Sequence, residues 1–438
     1  MSQKVWQERT TDFHRATLWF LPALAVLIAL ALGSLLSEFD VEGDSFLADF
    51  VFRGGVGEAR ELLTVIAGTM ITVTGLVFVL TVVALQIAST QFSPRLLRTF
   101  MRDRGTQVVL STFVATFAYS LAGLHNVGRI TSSGEAFLPR LAVSGALVLA
   151  FASVGMLVFY IQHISNSIRI DTIMHRVEDR TLAALNELHP LNLDRSTPAA
   201  AGSDPPLDAL ILLAARSGYV QDYYTEVLRQ RTVAHNAAIA LDHPIGHHVV
   251  QGRPVARVWS LDESAPLKTD AWAKVGIVIK SERVIERDVA FGIRQLVDIA
   301  IKAIGPSIND PYTATQAVQH LSVILVALTR RDLNDQVLTD ADGTTRVVIP
   351  ISSFDNYLEL VCSHVRQEAA GRPRVMVALL RLLEDVAATT DNLVHQRAIS
   401  RQIELVLTDA RREIAQEADL EELRRVAAKA QAAGDGSA

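Results

Sequence analysis

Four uncharged runs, each longer than the roughly 18 residues that mark a membrane span, lie within the first 168 residues of this 438-residue chain. They fall between Arg15 and Glu38, Glu61 and Arg95, Arg104 and Arg129, and Arg140 and Arg169. Half of the chain is hydrophobic, a fifth is charged and the mean hydropathy is +0.26. The surplus apolar sequence is concentrated in those runs, which excludes a soluble globular chain. A four-span α-helical membrane domain is therefore expected over residues 1–168, with spans near 18–36, 62–88, 108–124 and 141–161. The second run is too long for the bilayer: 33 positions (62–94) would reach about 50 Å against a hydrocarbon core of about 30 Å. Its end, from Gln86 to Pro94, is expected to project.

Basic residues near span ends resist translocation and set orientation. Arg95, Arg98, Arg102 and Arg104 between the second and third spans meet a single acid, Asp103, which places that loop in the cytoplasm. Lys4, Arg9 and Arg15 before the first span, and Arg169, Arg176 and Arg180 after the fourth, agree. Glu38, Asp40, Glu42, Asp44, Asp49, Glu58 and Glu61 dominate the loop from Ser37 to Glu61, which should face outward. A competing reading makes Ala29-Leu30-Ala31 a signal-peptidase site. The long mixed-charge leader and the early Pro22 speak against it, and cleavage would leave the other three orientations unchanged.

The remainder reads as a mainly helical α+β cytosolic domain. Apolar residues at helical spacing (Ile164, Ile168, Ile173, Val177, Leu182, Leu185) predict that the fourth span continues as a helix over 169–190, where Pro190 ends it. A Pro, Ala, Ser and Gly-rich linker follows at 191–208. Short apolar runs at Leu210–Ala214, Ala237–Leu241, His248–Val250 and Val255–Trp259, with glycine turns between them, predict a small β-rich subdomain over 209–285. From 286 to 438 the periodicity is helical, interrupted by a strand at Arg346–Ile351. Val289, Ile293, Leu296, Val297 and Ala300 mark one apolar face, Gly305-Pro306 ends it, and Asp310-Pro311 opens the next helix as N-cap and first helical residue.

Three segments together resemble one family: Gln86-Ile87-Ala88-Ser89-Thr90-Gln91-Phe92-Ser93-Pro94-Arg95, Ser217-Gly218-Tyr219-Val220, and Leu296-Val297-Asp298-Ile299-Ala300 followed by Asn309-Asp310-Pro311-Tyr312. The family is a bacterial one of predicted multispan membrane proteins carrying a domain of unknown function, and the resemblance covers nearly the whole chain. The turn before the second helix, Gly305-Pro306-Ser307-Ile308-Asn309-Asp310-Pro311, departs mildly from that family's usual Ser-Pro-Gly-Ile-Asn-Asp-Pro. The resemblance implies a bacterial cytoplasmic (inner) membrane protein and brings no established activity, substrate or cofactor; the basic residues at the span ends are what place both termini inside.

The strongest functional hint is a stripe on the second span. At 100° per residue Thr64, Gly68, Thr72, Gly75, Val79, Val82 and Gln86 fall within about 80° of arc. Such a face serves helix packing, because small residues let backbones approach, or it lines a pathway built by several subunits, with Val79 and Val82 as a constriction. The leading expectation is a homo-oligomeric channel for ions, and the alternative is a membrane-anchored signalling or scaffold protein whose cytosolic domain binds a partner or small ligand. The bilayer is the expected surrounding, and no basic block suggests nucleic acid. No Asp, Glu, Lys or Arg lies inside a span centre, which argues against a proton relay. His243, His247 and His248 around Pro244 lack carboxylate spacing for a metal, and Gly305, Pro306, Asn309, Asp310 and Pro311 read as a structural turn. Cys362 is the sole cysteine. With no Walker loop, GxSxG or HExxH, neither an enzyme nor a cofactor or metal is expected.

Overall fold

The computed structural model describes residues 20–37, 51–91, 103–130, 136–191, 205–262, 267, 272 and 276–434, with the backbone alone for 88–91. They divide into two compact units, Met1–Thr172 and Ile173–Ala438.

In the first unit α1 (Phe20–Leu36), α2 (Val56–Gln91), α3 (Arg104–Asn126) and α4 (Arg140–Ser167) carry the apolar runs. Three of these helices are long and apolar enough to cross a membrane, and α1, at 17 residues, is a shorter apolar helix. Residues 18 and 19, where the first expected span begins, lie outside the described residues. The centre is α3, against which α1, α2 and α4 all pack. Small residues make that closeness fit: a Cβ at Gly33 would stand 2.9 Å from the Ala122 Cβ and 3.1 Å from the Tyr119 carbonyl. Hydroxyls bridge the helices inside the apolar interior, Thr116 to Ser153 at 3.0 Å and Thr81 to Tyr160 at 2.7 Å, and the Tyr160 hydroxyl also donates to the Val77 carbonyl at 3.1 Å. Where water is excluded such bonds replace contacts that the polar groups cannot find in lipid.

The fourth run does not continue unbroken. Helix α4 stops at Ser167 and α5 spans Ile170–Leu188. The interruption follows Ser165-Asn166-Ser167, residue types whose side chains compete for backbone hydrogen bonds; Arg169 N–H turns back to the Asn166 carbonyl at 3.4 Å. On a continuous helix Ile173 and Val177 would fall about 180° around from Ile164 and Ile168, so the apolar spacing shifts phase at the break.

In the second unit β1 (Leu210–Leu213), β5 (Pro254–Ser260), β3 (Ala237–Leu241), β8 (Thr345–Ile349) and β7 (Gln336–Thr339) form a sheet in that order. Its pairs are antiparallel except β3 with β8, which set Ile239 beside Val347 in parallel. A second sheet, β4 (His248–Val249), β2 (Gly218–Tyr223) and β6 (Ile277–Lys280), shares a core with the first around Val220, Val249, Ile239, Val258 and Ile279. The bend that ends at Ser217 leads into strand β2, which Gly218 opens. Gly218 takes φ +152°, and a Cβ there would meet the Lys280 carbonyl of β6, so glycine admits the close approach of that strand.

The expected division at 286 is not kept. Strands β7 and β8 lie between the helices α8 (Pro311–Thr329) and α9 (Phe354–Glu368) in sequence, yet complete the first sheet. The linker expected at 191–208 falls largely on residues outside those described, 192–204. The other helices are α6 (Thr225–Ala234), α7 (Val289–Ile304), α10 (Pro373–Ala387), α11 (Leu393–Glu413) and α12 (Glu417–Gly434). Helix α10 is the innermost, burying Val375, Met376, Leu379, Leu380, Leu383 and Val386 against α8, α11 and α12.

Cys362, fully buried on α9, has its thiol pushed up to about 12 by burial, partly offset by Arg366. Thiolate, not thiol, attacks reagents. A disulfide reagent should therefore find no thiol in the folded protein and one equivalent after denaturation; rapid native labelling would contradict the buried placement.

Candidate functional site

Every member of the α2 stripe is exposed within the chain: Thr64, Gly68, Thr72, Gly75, Val79, Val82 and Gln86. The face that α2 buries carries Ala59, Leu63, Ile66, Ala67, Met70, Val77 and Ala84, about 160° around the helix from the stripe. Among the described residues a Cβ at Gly68 or Gly75 meets nothing within 4 Å, whereas one at Gly123 of α3 would touch Leu63 at 3.4 Å. Among the described residues, helix packing inside the chain thus uses other glycines than Gly68 and Gly75. The hydroxyls of the stripe are turned inward to their own helix, Thr64 to the Arg60 carbonyl at 2.7 Å and Thr72 to the Gly68 carbonyl at 2.9 Å. The face is consequently smooth and only mildly polar, a surface that another helix can approach closely.

Of the basic loop, Arg95, Arg98 and Arg102 lie outside the described residues, as do the acids Glu38, Asp40, Glu42, Asp44 and Asp49. Arg104 opens α3, behind the N-cap Asp103. Asp103 also meets His163 of α4 at 2.5 Å, fastening the two helices at that end.

The turn between α7 and α8 is held by its own residues. Gly305 caps α7, Asn309 takes φ +52°, and the Asp310 carboxylate accepts from the Tyr312 and Thr313 backbone N–H at 3.1 Å each. Its carboxyl is held below the ordinary aspartate value, first by the Thr313 hydroxyl and then by these amides, against the opposing effect of burial. The Asn309 side-chain oxygen accepts from Arg372 at 2.6 Å. Asn309 and Asp310 thus each have a tethering or capping partner. Charges around α7 are paired: Arg283 with Asp288 at 2.6 Å, Arg287 with Glu187 at 3.1 Å and Arg294 with Asp298 at 2.9 Å.

The histidines around Pro244 separate into two groups. His243 and His247 stack with centroids 4.3 Å apart, while His248 meets the edge of Tyr219. His247 lies below the ordinary histidine value, first through burial and then through His243 and His248.

A second cluster escapes sequence reasoning. His175 and Glu178 of α5 and His320 of α8 bring one ligand atom each to within 4.8 Å of one another. His320 Nδ1 stands 2.6 Å from Glu178 Oε2, and the two side chains are 22% and 11% exposed. The rings of His175 and His320 lie 6.2 Å apart. Asp179 approaches the exposed His175 at 3.8 Å. The only local signal is His-x-x-Glu at one helical turn; its partner lies 142 residues away.

A family model described as predicted membrane protein (DUF2254) matches residues 15–385. An uncharacterized protein of Mycobacterium tuberculosis is 39% identical over 415 residues, covering 93% of this chain and 79% of its own length. An uncharacterized protein of Mycobacterium bovis is similar to the same extent. No solved structure matches the chain significantly.

Proposed function

Because the chain belongs to the family of predicted membrane proteins DUF2254, we propose that it acts as a homo-oligomeric ion channel of the bacterial cytoplasmic membrane. Four spans cross the bilayer, both termini stay in the cytoplasm, and the C-terminal unit there controls the pathway. The reading is carried by one observation: the α2 stripe is exposed on the face opposite the one that α2 buries. A single subunit of four helices is too small to enclose a pore, so symmetric copies would bring their stripes to a common axis. Val79 and Val82, both exposed, would form the apolar constriction that gates by dewetting. The spans carry no acid or base at their centres, which suits passive conduction better than a proton-coupled pump.

Gly75→Leu tests this. Among the described residues nothing lies within 4 Å of a Cβ at Gly75, so the variant should keep the wild-type fold and thermal unfolding. Reconstituted in a planar bilayer over a range of voltage and tension, the wild type should give discrete current steps, and Gly75→Leu should abolish them. Silence from a folded wild-type oligomer would instead favour a membrane anchor whose C-terminal unit binds a partner or small ligand.

A further inference from the structure

We propose that His175, Glu178 and His320 bind a divalent transition-metal ion of the zinc class. The site is independent of the channel reading. Two imidazoles and one carboxylate form a donor set suited to zinc, with a fourth position left for water. The opening lies on the side of His175, whose side chain is 68% exposed.

The frame beneath the ligands is fixed by packing. Helix α5 buries Ile173, Met174, Val177, Thr181 and Leu185, the face adjoining Glu178. One turn beyond Glu178, Thr181 presses on Gly292 of α7 so closely that a Cβ there would overlap it. Arg331 ties the far end of α5, donating to the His189 carbonyl at 2.9 Å and to the Asn186 side chain. On α8, His320 is flanked by the buried Val318 and Leu321. Two ligands therefore stand on rigid helices, and the third, His175, is the exposed one that can swing in.

The chemistry requires little movement. Metal bonds of about 2.0–2.2 Å in a tetrahedral arrangement set neighbouring ligand atoms roughly 3.3 Å apart. Glu178 and His320, at 2.6 Å, would separate slightly as the ion replaces the proton between them, and binding would release protons where the imidazoles carry them. Asp179, beside His175, is placed to orient that ring without being a ligand.

Full-length protein, purified in detergent and stripped with a chelator, is titrated with Zn²⁺ by calorimetry and by thermal unfolding. The expected result is one ion per chain, with a rise in unfolding temperature on saturation. His175→Ala and His320→Gln should each weaken binding at least about tenfold and remove the rise, while a variant with alanine at His243, His247 and His248 binds as the wild type does. His175→Ala removes an exposed side chain and should leave metal-free unfolding unchanged, so its loss of binding cannot be assigned to misfolding. No uptake by the wild type, equal uptake by His175→Ala and His320→Gln, or loss confined to the triple variant would each overturn the site.

Discussion

Replacing Asp288 with alanine should destabilise the C-terminal unit by roughly 3–5 kcal/mol, the range for breaking one side of a buried ion pair. Asp288 is 4% exposed. Its carboxylate accepts two hydrogen bonds from Arg283, at 2.6 and 2.9 Å, and caps α7 by accepting the Phe291 amide at 3.0 Å. Alanine removes the cap and leaves the Arg283 guanidinium, 22% exposed, without its counter-charge. Asparagine can keep the cap while losing the charge, so Asp288→Asn should fall between the two. Denaturant unfolding followed at Trp259 and Trp272 of the C-terminal unit measures the change. A shift under about 1 kcal/mol for alanine, the scale of a solvated surface pair, would show that this pair does not hold α7.

Gly292→Val is expected to destabilise the same unit by about 1–3 kcal/mol, through overpacking at a helix crossing. The site is buried on α7, and a Cβ there would run into the Thr181 side chain of α5, itself fully buried. Thr181→Ala should relieve much of that loss in the double variant, because the two positions are in contact and their effects should not add. Independent, additive losses would mean that α5 and α7 do not cross at this point. The crossing also sets the position of Glu178, so Gly292→Val should weaken Zn²⁺ uptake, while Thr181→Ala alone should retain it.

Much of the architecture is legible locally. The apolar runs announce α2, α3 and α4 by length alone, and Asp310-Pro311 announces α8 because capping needs only neighbouring residues. Strand β3 is visible as five consecutive buried residues, Ala237–Leu241. Strand β7, Gln-Val-Leu-Thr at the sheet edge, is not, since an edge strand need not alternate cleanly. The break at Ile168–Arg169 has only a phase shift to announce it: Ile173 and Val177 fall about 180° around a continuous helix from Ile164 and Ile168.

Local spacing already specifies the long apolar runs, the residues that share one face of α2, and where most helices begin and end. These are properties of neighbours within one or two turns. Contacts between distant segments turn the α2 stripe away from the bundle, return β8 to lie parallel to β3, and bring His320 to Glu178. Periodicity reports which side chains lie together on a helix, but what that face meets is set by packing between segments distant in the chain, and no local spacing encodes it.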